Sequence, residues 1–211
     1  MTRRLIFVRH AESELSARGL VNGDPSVDCP LTDKGRRDAE RFRTIIAREP
    51  IDLCVTTEFL RTRQTAEIAL EGLDIPLEIE PRLDDPPVGV FESRPQKEYL
   101  EWLASHDWTT GPPGGGESQL NSVRRFLGAF DRLTNRRQSC ILIIGHAFPS
   151  GVAHTLAHEP PPAIRPHYEC DFDYLDPITV DPGALKSGIG RARQELLEIE
   201  DTLAGGAGDG S

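Results

Sequence analysis

Three short apolar runs constrain this chain more than any other feature. Leu5-Ile6-Phe7-Val8, Leu53-Cys54-Val55-Thr56-Thr57 and Cys140-Ile141-Leu142-Ile143-Ile144 are nearly continuous in apolar character, as strands covered on both faces are. Helical spacing fills much of the chain between them, so the expected fold is α/β: three layers, α/β/α, with a mainly parallel central sheet flanked by helices. Each run stops at reactive groups. The first meets Arg9-His10, the third meets Gly145-His146, and the second feeds a helical pattern with Arg61 in its opening turn. In open α/β sheets the carboxyl ends of the strands face the ligand crevice, so these residues are placed for chemistry.

The remaining organisation follows from spacing and punctuation. Thr32 can cap a helix whose Ala39, Phe42, Ile45 and Ile46 share a face and which ends before Pro50. Pro76 to Ile79 is a candidate edge strand, and Pro95 can open a helix bearing Tyr99, Trp102 and Leu103. Gly111 to Gly116 is expected to be a flexible surface turn. After it, Leu120, Val123, Phe126, Leu127, Phe130 and Leu133 mark a core-facing helix. Beyond Ala157 the character changes: Pro160-Pro161-Pro162 breaks any helix, Tyr168 to Val180 mixes aromatic and acidic residues, and Gly183 to Leu203 is again helical in period. The expected division is a core over residues 1–157, an extension over 158–204 packing on or near it, and a disordered tail over 205–211.

With 211 residues the chain can bury one substantial core, and one domain is favoured over two. Its formal net charge of −10 argues against nucleic acid or an anionic membrane as partner. An anionic small molecule would have to be attracted locally. Cysteines 29, 54, 140 and 170 lack Cys-x-x-Cys spacing, which suggests reduced thiols in a cytoplasm. The apolar run before Arg9 is too short for a signal peptide and no later run could span a bilayer, so a cytoplasmic location is expected.

Five segments, in order, resemble the histidine phosphatase superfamily (phosphoglycerate mutase-like, branch 1). Arg9-His10-Ala11-Glu12-Ser13 resembles its Arg-His-Gly-Glu-Thr signature, and Pro30-Leu31-Thr32-Asp33-Lys34-Gly35 its Pro-Leu-Thr-x-x-Gly element. Thr57 to Ala66 is similar to the segment that holds the family's second arginine. Gly116-Glu117-Ser118 and Gly145-His146-Ala147 are similar to its Gly-Glu-Ser and Ser-His-Gly elements.

That resemblance implies a metal-independent phosphatase, needing no cofactor, that hydrolyses a phosphomonoester of a small metabolite through a phosphohistidine. Alternatives are a phosphoglycerate-type mutase and a noncatalytic phosphate-binding or scaffold protein. By resemblance His10 is the nucleophile and His146 contacts the phosphoryl oxygens. Arg9 and Arg61 suit the same task because a guanidinium fork binds phosphate oxygens directionally and stays charged. His10 must present a lone pair, which a backbone carbonyl on its other nitrogen would secure, whereas His146 works best as a donor and is the candidate for the charged form. Aligning Leu83 to Ser93 on the family's acid loop puts Asp85 at the proton-donor position, with Asp84 and Glu92 in reserve and Glu92 matching a structural glutamate. Ser16 and Asn22 are expected to tune the substrate pocket. Residues 158–211 could cover that pocket or mediate a homodimer. Taken singly, Arg61 could be a surface ion pair, His146 a satisfied buried histidine and Asp84-Asp85 a turn before proline; only their convergence would argue for a site.

Overall fold

A computed structural model of the chain describes residues 3–158 and 172–206. Pro160 to Pro162, His167, Tyr168, Cys170 and the tail from Ala207 onward lie outside the described residues. The sheet has five strands: β1 (Arg4–Arg9), β2 (Leu53–Thr56), β3 (Leu77–Ile79), β4 (Cys140–Gly145) and β5 (Pro177–Val180), in the spatial order β3-β2-β4-β1-β5. β3, β2, β4 and β1 are parallel, and β5 lies antiparallel on β1 with Val8 opposite Pro177. The mainly parallel sheet is as expected. β5 was not anticipated, because a four-residue strand opening on proline has little period to detect, and an edge position tolerates the missing N–H.

Seven helices cover the sheet: α1 (Glu14–Ala17), α2 (Asp33–Ile46), α3 (Leu60–Leu70), α4 (Gln96–Ser105), α5 (Gln119–Thr134), α6 (Ala147–Ala157) and α7 (Pro182–Gly206). Alternation of side chains along the strands divides the core. Leu5, Phe7, Val55, Ile141 and Ile143 pack under α5, α6 and α7, while Ile6, Val8, Cys54, Leu142 and Ile144 face α2 and α3. These strands are buried on both faces, which is why they read as apolar runs. Phe7, Phe126 and Phe130 are fully buried, and each contributes about 1.5–3 kcal/mol of hydrophobic stabilisation.

The family-like turns have plain local causes. Thr32 caps α2 by accepting from the Gly35 amide at 2.9 Å, and a Cβ at Gly35 would collide with the Glu12 carbonyl, so the helix start can press against the loop after β1 only through glycine. Ser118 caps α5 through the Asn121 amide. Gly111 to Gly116 differs from the flexible turn expected. The Val90 amide donates to Pro113 O at 2.8 Å and the Glu117 amide to Pro87 O at 2.8 Å, so this run is tied to the loop that follows Asp85. α7 also extends through Gly205 and Gly206, which composition alone had placed in the tail.

Candidate active site

The parallel register brings two histidines together. Arg9 sits opposite Gly145 in the β1–β4 ladder, so His10 and His146 leave adjacent strands at the same level. The His10 amide donates to Gly145 O at 2.9 Å and the two rings meet edge to face with centroids 5.5 Å apart. Both are buried, at 5% and 1% exposure. Because α3 follows β2 and α6 follows β4 on opposite faces of the sheet, a crevice opens at this edge.

Arg61, in the first turn of α3, joins four partners. Its Nε donates to His10 Nε2 at 3.0 Å, Nη1 to Asn22 Oδ1, and Nη2 to Asp85 Oδ2 at 2.9 Å and Asn22 O at 3.3 Å; the same Nη2 lies 3.1 Å from His146 Nδ1. The Phe59 ring supports the guanidinium from 4.1 Å. Asp85 Oδ2 also lies 3.0 Å from His146 Nδ1. Arg61, His10, His146, Asp85 and Asn22 thus form one contact network from segments far apart in the chain.

His10 carries its proton on Nδ1, since that atom lies 2.7 Å from Ala11 O and a carbonyl only accepts. Nε2 is left with a lone pair. Burial, then the Arg61 guanidinium, the His146 ring and Arg9 hold this imidazole well below its ordinary value of 6.5, although the Ala11 carbonyl pulls the other way. His146 is also lowered, by burial and Arg61 against the opposing pull of Asp85. Its Nε2 lies 3.0 Å from the Thr57 hydroxyl, which orients the ring.

The two aspartates diverge. Burial favours the neutral Asp85 carboxyl, but His146 and Arg61 outweigh it and hold the group well below the usual carboxylate range. Asp84 lies outside the network: its Oδ1 accepts from the Glu58 amide at 2.9 Å, and burial pushes it up to about 7. Glu92 accepts from Asn22 Nδ2 at 3.0 Å and Gly23 N at 2.8 Å, so it fixes the loop that delivers Asn22. Two candidates stay outside this hydrogen-bonded cluster: Ser16, whose hydroxyl donates to Ser13 O and accepts from Ser13 N at the start of α1, and Arg9, whose guanidinium meets Phe172 O and the Tyr174 ring.

Several contributors escaped sequence reasoning. Arg125 donates to the carbonyls of Arg82 and Asp84 and is itself gripped by Glu117 at 2.6 Å, so the Gly-Glu-Ser element supports the acid loop at one remove. Thr65 accepts from the Ala11 amide at 3.1 Å and thereby braces the residue beside His10. Arg9 is held by the late segment before β5: Nη1 donates to Phe172 O at 2.8 Å, and the Tyr174 ring lies 4.1 Å from the guanidinium. Only the quoted Thr57 to Ala66 segment gave any signal for the threonines, and nothing local marked Tyr174. Among the described residues, no group of three or more His, Cys, Asp or Glu is arranged to hold a metal ion. A neutral imidazole whose Nε2 accepts from Arg61, with a second imidazole beside it, can attack a tetrahedral oxyanion once that oxyanion draws the Arg61 guanidinium onto itself.

The sequence matches the family described as the histidine phosphatase superfamily (branch 1) over residues 5–182. An adenosylcobalamin/alpha-ribazole phosphatase from Salmonella typhimurium is 32% identical over 154 residues, covering 68% of this chain and 73% of that protein. A 2,3-bisphosphoglycerate-dependent phosphoglycerate mutase from Arthrobacter is 30% identical over 137 residues, covering 58% and 54%. The crystal structure of the alpha-ribazole phosphatase from Shigella flexneri superposes with a TM-score of 0.63 at 25% identity, over 75% of this chain and 81% of that one. No helix among the described residues is long and apolar enough to cross a membrane.

Proposed function

This chain belongs to the histidine phosphatase superfamily, branch 1, and from that premise we propose that it hydrolyses a phosphomonoester of a small metabolite, without a metal, through a phosphohistidine on His10. The observation that carries this is the protonation pattern of His10. Ala11 O holds the proton on Nδ1, and Nε2 faces the Arg61 cage with its lone pair. In the first step the bound phosphate draws Arg61 Nε away from Nε2, the freed lone pair of Nε2 forms the N–P bond as the P–O ester bond breaks, and the positive charge gained by the ring is shared with Ala11 O. Arg9, Arg61 and His146 Nδ1 take the equatorial oxygens, where charge gathers.

The leaving oxygen takes a proton from Asp85. In the free site that carboxyl is ionised because His146 and Arg61 hold it so. A phosphate dianion competes for both partners and adds negative charge beside the carboxylate; both effects raise its affinity for a proton, and Asp85 takes one up from solvent as the substrate binds. Asp85 then accepts a proton from water as water attacks the phosphohistidine, the N–P bond breaks, and the lone pair returns to Nε2. Asn22, held between Arg61 and Glu92, sets where the guanidinium sits. Since relatives carry the alpha-ribazole phosphatase name, alpha-ribazole 5′-phosphate heads the substrate panel.

The test is phosphate release from p-nitrophenyl phosphate and that panel in EDTA, from acid to neutral pH. Turnover is expected, together with an acid-labile, base-stable phosphoenzyme that disappears in His10→Ala. Label that persists in His10→Ala would remove His10 from the mechanism. No release from any substrate would leave a phosphate-binding protein, and exchange of 3- for 2-phosphoglycerate without net release would make the chain a mutase.

A further inference from the structure

We infer that the strap Phe172 to Leu175 is a wall of the active site, and that Tyr174 is a positioning residue that orients Arg9 for phosphate. The inference rests on the phosphate-site reading above. β5 runs antiparallel beside β1, so the residues just before it cross the carboxyl end of β1 where Arg9 and His10 emerge. Three contacts then converge on Arg9: Leu175 N donates to its carbonyl at 3.0 Å, Phe172 O accepts from its Nη1 at 2.8 Å, and the Tyr174 ring lies 4.1 Å from its guanidinium carbon. The same ring stands 5.7 Å from that of His10.

Leu175 has a φ of +60°, which a branched side chain rarely adopts and which persists only where surroundings over-determine it. Its side chain packs toward the cluster of Ala11, Leu31 and Ala39. Toward α2, Leu175 packs on the clusters that hold Ala39 and Phe42, while an open pocket of about 330 Å³ is lined by Tyr174 together with Lys34, Asp38, Arg41 and Ile45.

A long arginine side chain has many rotamers, and fixing its plane before the ligand arrives removes an ordering cost from binding. The aromatic face, not the phenol oxygen, performs this task through a cation–π contact. Tyr174→Phe should therefore bind inorganic phosphate within about twofold of the parent protein. Tyr174→Leu keeps bulk but lacks the π face, and should raise the phosphate Kd by about five- to tenfold, with a matching rise in KM for p-nitrophenyl phosphate. Calorimetry with inorganic phosphate reads this without turnover, and a double-mutant cycle shows whether the effect passes through Arg9. In an Arg9→Ala background, Tyr174→Leu should change the Kd by less than twofold. An unchanged Kd in Tyr174→Leu, or an equal loss in the Arg9→Ala background, would overturn the role of the strap while leaving the phosphate site intact. Absence of phosphate binding in the parent protein would overturn the phosphate site itself and the strap's role with it.

Discussion

Arg61 and Arg9 flank His10 from two differently built regions. Arg61 is 4% exposed, is rooted in the first turn of a packed helix, and uses all three of its nitrogens on His10, Asn22 and Asp85. Arg9 is only partly buried and relies on one carbonyl and one aromatic ring from a segment more than 160 residues later. The helix side is therefore preorganised by a buried network of side chains, whereas the strand side is completed by a single late segment. One rigid cation and one adjustable one would suit the proposed phosphate site, which has to grip a small oxyanion and also release it, because reorganisation is confined to one wall.

The largest expected effect comes from replacing the rigid member. Arg61→Lys cannot reproduce a fork shared among several partners and leaves Asp85 and Asn22 underpaired, so kcat/KM should fall at least ~10³-fold and stability by about 2–4 kcal/mol. Arg9→Lys should weaken phosphate binding by ~10–10² with little change in Tm. Equal thermal destabilisation in the two variants would break the contrast. A mid-sized effect tests the acid on the rigid wall. Asp85→Asn should lower kcat by ~10² for esters of alkyl alcohols but only a few-fold for p-nitrophenyl phosphate, whose leaving group needs no proton. An equal loss on both would assign Asp85 a charge-balancing role only.

The smallest effect concerns stability against pH. His10 and His146 are both depressed in the fold, so below pH 6.5 the unfolded chain binds more protons than the native one, and Tm should fall as pH drops through that window. Asp84 acts in the opposite sense. Its carboxyl, raised from 3.8 to about 7, keeps a proton that the unfolded chain has lost, so its contribution worsens as pH climbs between those values and is constant above. Asp84→Asn retains the acceptor for the Glu58 amide and should gain stability on the order of 1–3 kcal/mol at pH 8 and nothing at pH 4. A gain equal at both pH values would show that burial of charge is not the cause.

Much of the rigid wall was legible in the chain. Leu5 to Val8 and Cys140 to Ile144 announce strands because both faces of each are covered, and Thr32, Gly35 and Ser118 announce helix starts because capping and close approach tolerate few residue types. Arg61 and His146 were nameable since they follow such strands, whereas Asp85 was named only through the family resemblance of its loop. The other wall was not. Tyr174 lies in an irregular segment, and Glu117 acts only through Arg125, which stands between it and the acid loop. Ser16 looked equally promising, yet its hydroxyl is engaged by Ser13.

By itself the amino-acid order determined the layers, the strand ends and the kinds of reactive group available, because periodicity, capping and burial are local consequences of side-chain chemistry. Only the tertiary structure decided which nitrogen of His10 keeps its proton, which aspartate is ionised and which arginine the last strand steadies. Those outcomes depend on distances of about 3 Å between residues far apart along the chain, where burial and neighbouring charge set the balance and no local pattern records it.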